Sequence, residues 1–273
     1  MSRSVHSFTC QGEILAATLD GAAGTTGLLI VSGGNEIRSG AHGGMAELAM
    51  KISAKGHPVL RFDRRGIGDS TGINAGFLGS RDDIAAATEF FRKNCPQVGK
   101  IVAFGNCDAA TALALYQPQL GFDALCVANP WTIEQINEGQ DAPTQPTAAA
   151  IRTRYWERLK NPRTYADLVS GKINFAKLLK GLKKAAVKEE NSQLALDLRD
   201  ALKNLEIPCD ILIAERDTTA LAFMAGWNSA DYAEVRKKSG LALHTINTAS
   251  HGFADSKSKI WLENQLIRSL SRF

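Results

Sequence analysis

Hydrophobic and polar positions follow two periods along the first half of the chain. Short, nearly unbroken apolar runs occur at 27–31, 58–63, 100–104 and 122–128. Runs of that length, bounded by turn residues, read as buried strands. Between them the apolar positions spread to helical spacing. Residues 43–54 carry Met45, Leu48, Ala49 and Ile52 on one face, and residues 82–93 carry Ile84, Ala87, Phe90 and Phe91. Ser80 is the candidate N-cap of that second helix, and 108–116 reads as a third. Strands alternating with helices predict βαβ units and a parallel sheet. Continuous rather than alternating apolar runs are what a strand covered on both faces requires.

The pattern changes after Asn129-Pro130-Trp131. Residues 137–148 read as a polar loop with Gly139, Pro143 and Pro146, and 150–205 carry helical patterns only. Strand signals return at 209–214 and 241–246, and a last helix is expected over 254–271. The expected organisation is one α/β core, residues 1–131 and 207–273, with a helical cap inserted at 132–206. The fold expected is a mostly parallel central sheet flanked by helices.

The third strand runs into a helix through Gly105-Asn106-Cys107-Asp108-Ala109. A nucleophile elbow has the form G-x-Nu-x-G at such a junction, because the sharp turn leaves room only for small residues two positions to either side. Gly105 meets that requirement and Ala109 stands where a second Gly is usual. The nucleophile is then Cys107. A thiol suits the position, since a helix N-terminus favours the thiolate. The alternative is a small buried residue at a strand–helix junction.

Nucleophile, acid and histidine follow one another in that chain order in elbow enzymes. Asp217 lies just past the strand at 209–214, and His251 lies between the last strand and the last helix. Taken singly, they are a turn-forming Asp and a loop His. Taken together, they are a candidate Cys107–His251–Asp217 triad, with His251 as base and Asp217 as its orienting partner. An oxyanion needs backbone N–H donors. The candidates are Asp108, directly after the nucleophile, and Gly34, in the loop after the first strand. Arg38 and His42 lie farther along that loop. They are candidate contacts for an anionic part of a substrate, or else a loop-stabilising Arg and a His at a helix N-terminus.

Composition narrows the picture further. The 273 residues are 44% hydrophobic, which excludes disorder and allows a large core. No run approaches the ~18 apolar residues of a membrane span, and residues 1–9 do not read as a secretory signal. The five cysteines form no C-x-x-C pair, so no zinc site or disulfide framework is expected. Cys126 and Cys209 fall in expected strands and read as core. No cofactor is expected, because the glycines at 66, 68 and 72 miss the dinucleotide spacing. The net charge is +4, and the window 151–206 alone holds 13 basic and 7 acidic residues. The excess thus belongs to the expected cap, and a nucleic-acid partner is not expected.

The run Asp63-Arg64-Arg65-Gly66-Ile67-Gly68-Asp69-Ser70 contains the loop pattern R-G-x-G-x-S after a strand, and it resembles a loop common to α/β-hydrolases. With the elbow and the triad order, the whole chain resembles that superfamily. More narrowly, Gly33-Gly34-Asn35-Glu36-Ile37-Arg38-Ser39-Gly40-Ala41-His42 and the elbow resemble the exosortase A system-associated hydrolase 1 family. Asn35 and Glu36 depart from its pattern, where Pro and Gln are expected. The resemblance implies a cytoplasmic protein tied to exopolysaccharide and exosortase systems. The expected activity is hydrolysis of an ester or thioester through a thioester on Cys107. The expected partner is a small-molecule acyl substrate, anionic or carrier-linked. The alternatives are an acyltransferase, as the Cys elbow resembles that of polyhydroxyalkanoate synthases, and a non-catalytic binding protein on the same scaffold.

Overall fold

A computed structural model describes residues 2–133 and 192–273. Its strands form one eight-stranded sheet: β1 (Ser2–Cys10), β2 (Glu13–Gly21), β3 (Thr26–Val31), β4 (Val59–Phe62), β5 (Lys100–Asn106), β6 (Ala124–Ala128), β7 (Cys209–Ala214) and β8 (Leu241–Ile246). The spatial order is β1-β2-β4-β3-β5-β6-β7-β8. Strands β3 to β8 run parallel, and β2 lies antiparallel to β1 and β4. The expected mostly parallel sheet is therefore present.

Alternate side chains of each central strand enter opposite faces, and both faces are apolar. Leu28 and Ile30 of β3 join Phe104, Leu48 and Leu262 on one side. Leu29 and Val31 join Phe91, Leu113 and Phe223 on the other. The first face is covered by α1 (Gly44–Ala54) and the C-terminal helix, the second by α2 (Arg81–Asn94) and α3 (Asp108–Leu120). Ser80 precedes α2 but does not cap it, because its Oγ donates to the Phe77 carbonyl at 2.6 Å.

In the hairpin β1–β2 the inner strand carries the short apolar run Ile14-Leu15-Ala16-Ala17 and the outer strand carries none. Its outer strand alternates exposed and half-buried residues, as an edge strand does. Its turn, Gln11-Gly12, takes positive φ at both residues, as a tight two-residue hairpin loop requires.

After residue 191 come α4 (Gln193–Asn204), α5 (Thr218–Trp227) and α6 (Ser256–Leu270). Most of the expected cap, 132–206, lies outside the described residues. Its last part is α4, whose Leu198 and Leu202 are fully buried in the same cluster as Phe91 and Leu113. No helix among the described residues is long and apolar enough to cross a membrane.

The order of strands places the site. The chain leaves β3 toward β4 on one side, while β5 pairs on the other, so the direction of winding switches between β3 and β5. A crevice opens beyond the strand ends at such a point. Register sets what meets there. Val31 pairs with Gly105, Asn106 with Ala128, and Ala214 with Ile246. The residues after these pairs, 32–34, 107–108, 129, 215–217 and 247–251, leave the same edge of the sheet.

Candidate active site

Cys107 sits between β5 and α3 with φ 63 and ψ −126. A non-glycine residue held there is strained and persists only where its surroundings over-determine it. They do so here. A Cβ at Gly105 would lie 2.8 Å from the Ala109 carbonyl carbon. Ala109 is itself fully buried. The Cys107 N–H donates to the Ala128 carbonyl at 2.9 Å, which ties the turn to β6. The result is one partly exposed thiol, whereas Cys10, Cys95, Cys126 and Cys209 are buried. Burial pushes the Cys126 thiol up to about 12 and the Cys10 thiol up to about 11, so neither is a nucleophile at neutral pH.

His251 Nδ1 lies 3.0 Å from Asp217 Oδ2. Asp217 is held in turn: it is the N-cap of α5 and accepts the Ala220 N–H at 3.0 Å with the same oxygen. The Cys107 thiol is the second group acting on the His251 ring. Burial pulls the His251 imidazole down, but the hydrogen bonds to Asp217 and Cys107 and their charges outweigh it, raising it to about 10. The loop carrying His251 is closed by Thr248 Oγ1 donating to Asp255 at 2.7 Å. Asp255 also caps α6 through the Ser258 N–H at 2.9 Å. The bonds from Ser258 and Thr248 hold the Asp255 carboxyl low, at about 2. The structure thus brings Cys107, His251 and Asp217 together.

Two residues not singled out in the sequence hold this arrangement. Asn129 is fully buried and left-handed, with φ 42. Its Oδ1 accepts the Ala214 N–H at 2.8 Å, and its Nδ2 donates to Asn106 Oδ1 and to the His251 carbonyl, both at 3.1 Å. Asn106 Nδ2 donates to the same His251 carbonyl at 3.2 Å. Two amides therefore fix the backbone of the histidine from strands β5 and β6. The only signal in the sequence was an Asn at the end of one strand and another directly after the next.

The loop after β3 meets the elbow through Gly33 and Gly34. A Cβ on Gly33 would overlap the Asn106 carbonyl oxygen and lie 3.3 Å from Cys107 Cβ. Close approach to the elbow is thus a property of Gly33. Gly34 instead needs its left-handed φ of 55, and open space surrounds its Cα. The Gly34 N–H donates to Asp108 Oδ1 at 2.7 Å, so this candidate oxyanion donor is already engaged by a carboxylate. Arg64, almost fully buried, donates Nη2 to the Gly34 carbonyl and lies 3.9 Å from Asp108 Oδ2. Its Nη1 is buried without a partner among the described residues.

Arg38 is drawn away from the triad. Its Nη1 pairs with Asp63, its Nη2 with Asp69 at 2.8 Å, and its Nε donates to Thr18 at 3.1 Å. With every guanidinium nitrogen engaged, this Arg braces the loop rather than awaiting an anion. Asp63 is the hub, fully buried and also accepting the Arg38 and Asp69 N–H groups at 2.5 and 3.1 Å. His42 lies instead on the wall of a cavity of about 420 Å³ that also touches Gly33, Asn106 and His251. No group of three or more His, Cys, Asp or Glu among the described residues is arranged to hold a metal ion.

No protein-family model matches the chain, and no curated protein matches it either. Solved structures do. An esterase of Pyrococcus furiosus, Pf2001, superposes with a TM-score of 0.67 at 14% identity, covering 99% of this chain and 90% of the esterase. An esterase from Exiguobacterium antarcticum gives 0.60 at 13% identity, over 97% of this chain and 98% of its own. The thioesterase domain of the curacin biosynthetic pathway gives 0.57 at 9% identity, over 98% and 100%. The chain has the α/β-hydrolase fold.

Proposed function

We propose, with the α/β-hydrolase fold as premise, that this protein hydrolyses an ester or thioester through a thioester on Cys107. The observation that carries this reading is His251 held between Asp217, at 3.0 Å, and the one partly exposed thiol, on a strained elbow.

The steps follow from these groups. When attack begins, the one proton the two groups share rests on His251, whose imidazole is raised to about 10. Cys107 Sγ attacks the carbonyl carbon, and the C=O π pair moves onto oxygen. That oxyanion meets the Asp108 N–H, one of the first-turn groups of α3 that lack an intrahelical acceptor. The Gly34 N–H joins it once the Asp108 carboxylate yields its place. Collapse breaks the bond to the leaving oxygen or sulfur, which takes the proton from His251 and departs as a neutral alcohol or thiol. Neutral His251 then deprotonates water, which cleaves the thioester. The acid leaves, and the proton returns to the Cys107–His251 pair. Asp217 keeps the ring oriented and stabilises its charged form. The cap at 132–206, the cytoplasmic setting and the link to exopolysaccharide or exosortase systems belong to this proposal on the strength of the sequence resemblance.

The test is turnover of a short activated ester by Cys107→Ala and His251→Ala. Both are expected to fall by about 10⁴-fold or more. Full activity in either variant refutes the mechanism. A Cys107 thiol that alkylates no faster than the four buried ones favours a binding protein instead.

A further inference from the structure

The cavity of about 420 Å³ lies within the range of small-molecule sites, roughly 300–1,000 Å³. It is bounded by α1, α6, the end of β3 and the His251 loop. Its buried wall is apolar: Val31, Leu48, Phe104, Phe253 and Leu262 are each at most 6% exposed. Its rim sets the carboxylates of Glu36, Glu47 and Glu263 against the ammonium groups of Lys51 and Lys259. Glu47 pairs with Lys51 at 2.8 Å and with Lys259 at 2.7 Å, the second bond joining α1 to α6. Glu36 and Glu263 add negative charge. The rim therefore repels an anion, and the interior suits an uncharged apolar chain.

Position then selects which chain. The cavity wall includes His251 and Gly252, together with Asn106, one residue before the nucleophile. His251 turns Nδ1 to Asp217, so its other nitrogen serves Cys107 and the atom that leaves. A group protonated by His251 lies against His251, which is part of the cavity wall. We infer that this cavity receives the uncharged apolar chain of the leaving alcohol or thiol. This rests on the hydrolytic reading above, but its failure can be told apart from the failure of that reading.

Gly44 offers the means. It lines the cavity, has helical angles of φ −60 and ψ −40, and has open space where a Cβ would point. Gly44→Phe therefore adds a ring at the cavity lining without backbone strain and improves helix propensity.

Two experiments decide the matter. In the first, the acyl group is fixed as acetyl and the thiol is varied from ethyl to hexyl thioacetate. Acetylation of Cys107 is expected to gain about fourfold in kcat/KM per methylene. Breakdown of the shared acetyl-enzyme is expected to be independent of the thiol. Gly44→Phe should flatten the series, and a matching series of ethyl thioesters with lengthening acyl chains should respond less in both proteins. In the second, 1-butanol to 1-hexanol are titrated into the wild-type protein and Gly44→Phe by calorimetry. Affinity should rise about fourfold per carbon in the wild type alone. Alkanol binding that ignores chain length or survives Gly44→Phe overturns the proposal, whether or not Cys107 is acylated. Gains confined to the acyl series overturn the assignment to the leaving group. Absence of any acyl-Cys107 overturns the hydrolytic reading and leaves the alkanol titration to decide for the cavity.

Discussion

Two loops meet at Cys107, and they are held by different physics. The elbow between β5 and α3 is held by exclusion. Gly105 has no space for a side chain, Ala109 is fully buried, and a backbone bond from Cys107 to Ala128 locks the turn. The loop after β3 is held by charge. Asp108 grips the Gly34 N–H, Arg64 grips the Gly34 carbonyl, and Arg38 is paired with Asp63 and Asp69. Steric exclusion is local and changes little with conditions. Charged hydrogen bonds depend on partners distant in sequence, and the loss of one partner releases the loop. The nucleophile is thus fixed rigidly, while the loop facing it can be adjusted.

Substitutions that separate the two devices test this contrast. The largest effect is expected for Gly105→Val, whose side chain has nowhere to go between β5 and α3. Overpacking at such a site costs about 1–3 kcal/mol or more, so the urea midpoint should drop and turnover should vanish with the elbow geometry. Near-wild-type stability would show that the elbow is not held by exclusion. Next is Arg64→Met, which keeps the bulk and removes the grip on Gly34. Misplacing a positioning loop by about an ångström can cost about 10² in rate. The loss is expected in kcat with little change in KM, and Arg64→Lys should restore part of it. A pure stability loss with normal kcat would make Arg64 merely structural.

Asp217→Asn should act on pH dependence. His251 is raised above its ordinary 6.5 to about 10. In the wild type its proton is therefore available as an acid through neutral pH and is lost as pH rises through about 10. Its contribution to stability is complete below 6.5 and fades across the same interval. Removing the Asp217 charge moves the alkaline limb of kcat/KM down toward the ordinary histidine range. An unmoved limb would show that Asp217 does not govern the imidazole. The smallest effect is expected for Asp108→Ala, which keeps the backbone donor and frees the Gly34 N–H. Acylation should quicken severalfold, since a carboxylate no longer competes with the oxyanion. A slower enzyme would assign Asp108 to holding the loop.

The same contrast explains what was legible in the sequence. Strands β3 to β7 were readable because both faces of the sheet are covered there, which makes their apolar runs nearly continuous. The outer strand β1 was not, because an edge strand such as Ser2–Cys10 needs only half its side chains inward. The elbow and the order Cys107, Asp217, His251 could be read because steric need and chain order leave a local trace. Gly33, Arg64, Asn106 and Asn129 could not be assigned, since their roles arise only when register brings separate strand ends together. Arg38 shows the converse. Its place in a loop near the elbow left anion binding and loop bracing both open, and only Asp63 and Asp69, 25 and 31 positions later, decide for bracing by engaging it.

The most direct measurement is a rapid acid quench of the protein during turnover of an acyl thioester, followed by digestion and mass mapping. The expected result is the acyl group on the peptide containing Cys107, near one per chain when hydrolysis is rate-limiting, and none on Cys10, Cys95, Cys126 or Cys209. Turnover with no acyl group on Cys107, or an acyl group on another residue that Cys107→Ala leaves intact, would contradict the mechanism.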